Sequence, residues 1–521
     1  MTFALTGDIL YIIPGILGDQ RDYNSSYQCA VTSRCFTEPA LRVLLYNSSP
    51  QSRGDFINRK TAAPRRFTLG SLRSEGAAVR RKWCGMWRSI TLSALGRTSL
   101  PYYNYIRYLD LEGLQKVLGG DSRHVYPNTF FTPELDDELP HDYGMIGKER
   151  LRSSSDLYSV EYAVSKIGYA ILKKLTSIRG LSCNLQPSHV GETIHNYCPD
   201  FKQLTIHQWS GIRNAEVDSE KFLNELRPNT LDSFEVLILS NLGPRTVRAL
   251  SSHWNSLTEL KLLSLGIEAI AELHLLTAPP ALKVLTLQHS TVGVYEEAYS
   301  RSLNRVADWI RSFKALQRLE LIRFMKDDAL LLAKVLPEES LRLSSLSVEG
   351  CRTHDAILFH EILHHQSSLQ YLYLEGHKID QPEHNGSLVR SISQLNSLRE
   401  LELEHISDGF TTDHLKTLTP CLPHLERLRI SGEYFRDDAL DAFLCLHRLQ
   451  SLIIDGPNSF TTQGLLSFIT QLGPGNRGFA LSIFKSANGT DITEEAQKPI
   501  RELLESKLDG AFLFETDPEG N

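Results

Sequence analysis

The H-E-x-x-H pattern at residues 360–364 is the stretch of this sequence that most directly suggests chemistry. It consists of His360-Glu361-Ile362-Leu363-His364. On a helix, residues four positions apart lie on one face, so both imidazoles could bind the same metal ion. The glutamate between them could then act as a general base toward a metal-bound water. The pattern raises a metal-dependent hydrolase as one candidate function class.

Motifs for phosphate or nucleic-acid binding are weak. No G-x-x-x-x-G-K-S/T phosphate loop occurs, and the stretch at 473–478 is typical of a turn. Basic residues cluster at 65–66 and 80–82, beside Trp83 and Trp87, where an exposed linker face is favoured over a nucleic-acid contact or an import signal. The net charge of −7 gives no general attraction to nucleic acid or to an anionic membrane. We predict neither as a partner.

The H-E-x-x-H pattern lies within a repeat. The unit L-x-x-L-x-L recurs from residue 234 to residue 454 at intervals of 23 to 34 residues. Its middle apolar residues, which we call marker residues, are Leu237, Leu260, Leu285, Leu319, Leu346, Leu372, Leu401, Leu428 and Leu452. Alternating apolar side chains indicate a strand with one buried face. Intervening segments such as 328–336 and 413–418 have the apolar spacing of a helix packed on that face.

One such unit cannot bury its own apolar face, so neighbouring units must stack. We therefore predict an α/β repeat fold: a leucine-rich-repeat solenoid of the ribonuclease-inhibitor-like type, with a curved parallel sheet and outer helices. Weaker copies at 178–183, 201–206 and 479–483 extend the array. Candidates for further strands occur at 67–69, 87–92 and 106–111.

The same pattern divides the chain into five segments. Residues 1–48 form a small helical module, and 49–118 contain a linker and the first irregular repeats. Residues 119–157 are rich in glycine, proline, serine and acidic residues, which predicts a loop or a disordered insertion. The solenoid spans 158–490, and 491–521 form a capping helix with an acidic tail from residue 515.

The repeat register argues against a metal site at H-E-x-x-H. Aligning Leu369 with Leu425 places His360 at the position of Lys416 and His364 at that of Pro420. The pattern then falls on the outer helix of an ordinary repeat, without an evident third ligand or a cleft. We predict a solvated helix there, no metal site, no cofactor and no catalytic residues, and hence a protein that is not an enzyme.

The first 48 residues do not follow the repeat. They begin with Leu5-Thr6-Gly7-Asp8-Ile9-Leu10, and apolar residues follow at Ile13 and Leu17. Further on come Thr32-Ser33-Arg34-Cys35-Phe36 and Ala40-Leu41-Arg42-Val43-Leu44-Leu45-Tyr46. In this order the segments resemble an F-box of the fungal type, a three-helix module that binds the Skp-type adaptor of cullin-based ubiquitin ligases.

The module departs from the F-box pattern at Thr6, where the family usually has proline, and at Thr32, where it has valine. Pro14 also lies inside the predicted first helix, where proline commonly costs about 3 kcal/mol. One apolar helical stripe consists of Ile9, Ile13, Ile16 and Leu17. A module this small cannot bury a sufficient core alone, so the stripe must meet a partner or the end of the solenoid. A plain helical cap on the first repeat is therefore the alternative.

The resemblance implies that the chain is the substrate-recognition subunit of a Skp–cullin–F-box ubiquitin ligase. The adaptor, and through it a cullin, would be held by Leu5, Ile9, Leu10, Ile13, Leu17, Arg34 and Phe36. The solenoid would hold an unidentified protein substrate and raise its concentration near a ubiquitin-carrying enzyme. The alternative is a non-enzymatic repeat scaffold or regulator unrelated to ubiquitin.

The residues that flank each marker should face the concave side of the sheet. We predict a substrate-binding surface formed by Tyr371, Tyr373, Glu400, Glu402, Glu404, Arg427 and Arg429. Tyrosine and arginine often anchor protein interfaces. The alternative is cross-strand ion pairing, with Glu402 opposite Arg429, at about 0.2–1 kcal/mol per pair.

Cysteine usage and hydropathy indicate the compartment. The eight cysteines form no C-x-x-C pair and are too sparse for a disulfide framework. The apolar run at 9–17 lacks a preceding basic residue and is a poor signal peptide. No apolar stretch reaches the roughly 18 residues needed to span a bilayer. We expect a cytoplasmic or nuclear protein, or one found in both.

Overall fold

A computed structural model describes residues 7–19, 23–32, 34–46, 84–119, 130, 135, 155–185, 190–209, 215–238, 242–276, 279–289, 296–324, 328–338, 340–351, 356–376, 385–432, 435–456, 458–486 and 492–516. The chain forms two compact units, residues 1–257 and 258–521. Each unit is built from parallel strands that alternate with helices.

The first unit begins with three helices, α1 (Gly7–Asp19), α2 (Tyr23–Thr32) and α3 (Arg34–Tyr46). Helix α3 packs on both α1 and α2, and it also contacts the 3-10 turn Tyr102–Tyr105. Helix α1 continues through Pro14, which is buried. A Cβ atom on Gly18 would lie 2.5 Å from Cγ1 of Val43, so glycine permits the close approach of α1 to α3. Three helices form in the predicted module.

Four parallel strands follow in the first unit: β1 (Tyr108–Asp110), β2 (Gly180–Leu185), β3 (Gln203–Trp209) and β4 (Ser233–Ile238). Their buried residues pair in register as Leu109, Leu181, Leu204 and Phe234. The helices of this part are 84–94, Leu111–Gly119, Ser155–Leu172, Val190–Tyr197, Ala215–Glu225 and Pro244–Leu250. The strands predicted at 106–111, 178–183 and 201–206 are therefore confirmed.

Two sequence assignments in this unit are wrong. The candidate strand at 87–92 is a helix, because Trp87, Ile90 and Ala94 are buried at helical spacing. The marker of β4 is Phe234 rather than Leu237, since Phe234 pairs with Leu204. The repeat there is Leu231-Phe234-Val236, all fully buried.

The remaining assignments in this unit fall mostly outside the described residues. The candidate strand at 67–69 is among them, as is most of the 119–157 segment. Phe130 and Leu135 are described and are buried, and the helix Ser155–Leu172 begins just before the predicted end of that segment.

Ten parallel strands form the sheet of the second unit. They are β5 (Glu259–Leu265), β6 (Val284–His289), β7 (Arg318–Ile322), β8 (Ser345–Cys351), β9 (Tyr371–Gly376), β10 (Glu400–Glu404), β11 (Arg427–Ser431), β12 (Ser451–Asp455), β13 (Ala480–Ser486) and β14 (Ala511–Thr516). All predicted markers from Leu260 to Leu452 stand in one register column, which continues through Leu481 to Phe512. These side chains are buried.

Helices connect these strands as the apolar spacing predicts. They are Ile267–Glu272, Glu296–Arg311, Asp328–Val335, Ala356–Ile362, Asn385–Ile392, Thr412–Leu418, Asp437–Phe443, Thr462–Gln471 and Glu494–Leu508. The longest interval in the repeat, between Leu285 and Leu319, contains the 16-residue helix Glu296–Arg311. Successive helices contact one another and cover the buried side of the strands. The leucine-rich-repeat architecture is confirmed.

The C-terminal end differs from expectation in one respect. The predicted strand at 479–483 and the predicted capping helix are present as β13 and Glu494–Leu508. Thr493 caps this helix, because its side-chain oxygen accepts a hydrogen bond from the backbone nitrogen of Ala496 at 3.3 Å. The acidic tail predicted from residue 515 is wrong at its start, since Phe512 and Phe514 anchor a further strand, β14.

Buried amides connect neighbouring repeats. Gln366 is 2% exposed; its Nε2 donates to the carbonyl of Leu336 at 2.8 Å, and its Oε1 accepts from the backbone nitrogen of Leu343 at 3.0 Å. Asn476 occupies the same repeat position and donates to the carbonyls of Leu446 and Leu449. These side chains satisfy backbone groups that the turns leave without strand or helix partners.

Replacing Gln366 with leucine should destabilise the fold by about 1–3 kcal/mol, because two buried backbone groups lose their partners. We expect a lower urea midpoint of unfolding by circular dichroism. Gln370→Leu is the matched control: Gln370 is exposed, so its effect should stay within about 0.5 kcal/mol. Equal midpoints for the two variants would contradict the assigned role of Gln366.

Candidate functional site

The open face of the second unit, which we define as the side of β9–β12 opposite the buried markers, carries the predicted substrate-binding residues. Register pairs Tyr373 with Glu402 and Glu402 with Arg429, so the three form one row across β9, β10 and β11. The predicted position of Glu402 opposite Arg429 is confirmed. Tyr371, Glu400 and Arg427 form a second row on the same face.

A polar network connects the first row to its neighbours. The hydroxyl of Tyr373 lies 2.8 Å from Oε2 of Glu375 and 3.1 Å from Oε2 of Glu404. The same Glu404 oxygen lies 3.3 Å from Nη1 of Arg429, whose Nη2 lies 3.5 Å from Oδ2 of Asp455. Four strands are therefore joined by one chain of contacts. Arg429 is long enough to reach diagonally across the strands, and it forms ion pairs with Glu404 and Asp455.

Burial separates these residues into two groups. Tyr373 and Glu402 are each 4% exposed, and the side chain of Arg429 is 14% exposed. By contrast, the ion pair between Arg427 and Glu400, at 3.6 Å, has side chains that are 44% and 30% exposed. Exposed pairs of this kind contribute about 0–1 kcal/mol to stability. The first group is withdrawn from water, and the second remains exposed to it.

Burial and the surrounding carboxylates keep both tyrosines protonated. Burial raises the pKa of Tyr371 far above its ordinary value, and the negative charge of Glu402 raises it further. Burial also raises the pKa of Tyr373, and the hydrogen bond to Glu375 adds to that effect. Both phenols therefore remain hydrogen-bond donors at every physiological pH.

These raised pKa values predict how stability depends on alkaline pH. In the unfolded chain a tyrosine ionises at about pH 10, whereas Tyr371 and Tyr373 stay protonated in the fold. The unfolded state then binds fewer protons, so stability is unaffected below about pH 10 and falls above it by up to about 1.4 kcal/mol per pH unit for each phenol. Urea midpoints for Tyr373→Phe should fall less steeply than those of the wild type. Parallel curves would contradict this.

The N-terminal module presents an apolar face on α1. Its exposed residues are Ile9, Ile12, Ile13 and Ile16, between 36% and 55% exposed. Their spacing places them on one side of the helix. Exposed contiguous apolar surface is typical of a protein interface. Ile12 was not among the residues predicted from the sequence, although its position three residues after Ile9 is the signal that would have identified it.

The other predicted adaptor-binding residues are placed less uniformly. Leu10, Leu17 and Phe36 are half-buried. Arg34 begins α3, and Leu5 lies outside the described residues. Of the predicted adaptor-binding residues, Ile9 and Ile13 therefore lie together on the exposed face of α1. Leu10, Leu17 and Phe36 are not part of that exposed face.

The H-E-x-x-H residues are not arranged on one continuous helix. The helix Ala356–Ile362 ends before the second histidine, and Leu363–His365 form a 3-10 turn. His360 is 3% exposed rather than solvated as we predicted, while Nδ1 of His364 lies 2.6 Å from the carbonyl of Glu361. Among the described residues, a cluster of three metal-ligand atoms occurs instead at Asp110, Glu112 and His207.

Comparison with known proteins gives similarity at the level of the fold. No protein-family model matches the chain, and no curated protein matches it. Similar solved structures include an internalin from Listeria monocytogenes, with 17% identity, a TM-score of 0.35 and coverage of 65% of this chain and 81% of that chain. The leucine-rich repeat-containing protein LegL7 from Legionella pneumophila has 14% identity, a TM-score of 0.34 and coverage of 58% and 96%. A structure of the Rad7 and Elc1 complex in yeast has 15% identity, a TM-score of 0.39 and coverage of 86% and 96%.

The strand pairing decides the fold class, since each unit repeats a strand and a helix with the apolar markers in register. The chain has a leucine-rich-repeat fold. Within the residues that the structure describes, none of the helices has the length and apolar composition to cross a membrane. The candidate surfaces for function are the open face of β9–β12 and the apolar face of α1.

Proposed function

We propose that this chain is the substrate-recognition subunit of a Skp–cullin–F-box ubiquitin ligase. The N-terminal module would bind a Skp-type adaptor and through it a cullin, and the repeats would bind a protein substrate. The observation that carries the proposal is the exposed isoleucine face of α1 in a three-helix module that precedes leucine-rich repeats. The F-box resemblance of residues 5–46 supplies the identity of the partner.

The exposed face is large enough to drive association. Full burial of one isoleucine stabilises by about 1.5–3 kcal/mol, so completing the burial of four half-exposed ones would contribute roughly 3–6 kcal/mol. Without a partner, such a face would favour aggregation. Helix α1 uses its opposite side, at Pro14 and Gly18, to pack within the module, which leaves the isoleucines available.

In this proposed role the chain itself makes and breaks no covalent bonds. A receptor of this kind accelerates ubiquitin transfer by holding the substrate at high local concentration near the ubiquitin-carrying enzyme. The seven cysteines whose side chains are described form no disulfide with one another, and we propose a location in the cytoplasm or nucleus. Substrate recognition would use the row of Tyr371, Glu400 and Arg427, which contains the more exposed ion pair of the open face.

Adaptor binding is tested by changing the isoleucine face. Ile9→Asp with Ile13→Asp should weaken binding of a purified Skp-type adaptor by about 100-fold, equivalent to about 3 kcal/mol, because two buried contacts become charged. Isothermal titration with the full-length chain measures this. Leu275→Asp is the control, since Leu275 is 59% exposed and belongs to the second unit. If the wild type does not bind the adaptor, the receptor proposal fails and the repeat scaffold becomes the better explanation.

The open face is tested by exchanging one ion pair. Glu400→Lys, Arg427→Glu and the double swap should each reduce substrate capture at least tenfold, because each changes the charges that a partner meets. The swap restores an ion pair at 400 and 427 and should keep wild-type stability.

Capture is measured by quantifying the proteins that co-purify with the wild-type chain and with each variant. If the swap recovers full capture, the pair acts only on stability, and this surface does not bind the substrate.

A further inference from the structure

A second polar cluster lies in the first unit and plays no part in the proposed function. Asp110 ends β1, Glu112 follows two residues later, and His207 is on β3. One ligand atom from each, two carboxylate oxygens and one imidazole nitrogen, lies within 4.8 Å of the others. Strand β2 runs between them, and register places Asp110 opposite Ser182 and Ser182 opposite Thr205.

The imidazole of His207 is held from both sides. Its Nδ1 lies 2.7 Å from Oε2 of Glu112, and its Nε2 lies 2.8 Å from Oγ of Ser182. The side chains of His207 and Glu112 are 16% and 19% exposed, and Asp110 is 9% exposed. The ring is therefore fixed in orientation and partly shielded from water, yet it faces the side of the strands that the helices do not cover.

The Ser182–His207–Glu112 order resembles a nucleophile, a base and an orienting carboxylate. A hydrolase of that kind also needs backbone N–H groups directed at the developing oxyanion. Ser182 lies inside β2, which pairs with β1 on one side and with β3 on the other. The N–H groups around it are committed to those ladders, so the arrangement lacks what acyl transfer requires.

We propose that Asp110, Glu112 and His207 bind a divalent transition-metal ion, with zinc as the best fit. Two carboxylates and a neutral imidazole match the donors that zinc takes, and their two negative charges balance a dication. Ligands at about 2.1 Å from one tetrahedral ion lie about 3.4 Å apart. Nδ1 of His207 and Oε2 of Glu112, which are now 2.7 Å apart, would therefore move apart by roughly 0.7 Å to admit the ion. Calcium and magnesium fit less well, because they require six or more oxygen ligands in total.

Ser182 would act as a positioning residue for this site. When Nδ1 of His207 binds the ion, Nε2 carries the proton and donates it to Oγ of Ser182. That contact is already 2.8 Å long. Metal-binding histidines are commonly held in this way through their second ring nitrogen, and loss of such a contact costs about 10–100-fold in metal affinity. The site would be independent of adaptor binding.

Zinc binding to the full-length chain tests the proposal. After removal of metal with a chelator, titration with zinc chloride should give one equivalent bound, measured by isothermal titration and by elemental analysis after dialysis. Glu112→Gln, which keeps the shape of the side chain, and His207→Asn should each lower the affinity at least tenfold. Ser182→Ala should lower it by about tenfold. Zinc should raise the melting temperature of the wild type but not of His207→Asn.

The control is His364→Ala, which alters the H-E-x-x-H pattern and should leave zinc binding unchanged. Circular dichroism tests whether each variant is folded. If His207→Asn does not fold, the zinc affinity of Glu112→Gln is the deciding measurement. The proposal is overturned if the wild type binds no zinc, or if Glu112→Gln binds it as tightly as the wild type. It is equally overturned if His364→Ala, rather than His207→Asn, abolishes binding.

Discussion

The in-register stacking of buried marker residues is the constraint on which the rest of each unit depends. In the second unit it runs from Leu260 to Phe512, and in the first from Leu109 to Phe234. Because strand side chains alternate, fixing this column also fixes which residues lie on the open face. A slip of one residue would exchange the two faces. The row through Tyr373, Glu402 and Arg429 follows directly from the column.

Much of the second unit was predictable because leucine repetition identifies the column. The prediction of marker residues and strands failed where another residue type occupies the marker position, or where an apolar residue outside that position fits the leucine pattern. Leu237 follows Phe234 by three residues and imitates a marker, although the pairing partner of Leu204 is Phe234. In β14, Phe512 and Phe514 take the buried positions that leucine or isoleucine occupies in β13. They lie next to acidic residues, which led to the prediction of a tail. At 87–92 the short apolar run fits either period, and only tertiary packing decides for a helix.

The candidate sites were predictable to the extent that they depend on strand alternation. The open-face rows were identified, but side-chain length sends Arg429 to Glu404 and Asp455, which register alone does not indicate. The repeat register placed the H-E-x-x-H pattern on the outer helix of one repeat, whereas the end of that helix at Ile362 and the burial of His360 were missed. Asp110, Glu112 and His207 were missed because Asp110 ends β1, Glu112 lies in the helix that follows, and His207 lies on β3, almost a hundred residues later and with β2 between. Alignment of the upstream markers would have shown that Glu112 and His207 share one repeat position, three residues after Leu109 and Leu204.

The polar network on the open face also limits how a partner can bind there. Glu404 is shared between the hydroxyl of Tyr373 and the guanidinium of Arg429, and all three are largely withdrawn from water. A partner that took over one of these contacts would have to replace it in surroundings withdrawn from water, where breaking a buried ion pair is costly. Binding energy must therefore come from groups that are still hydrated and loosely paired. Arg427 and Glu400 satisfy that condition, since their side chains are 44% and 30% exposed and their ion pair is 3.6 Å long.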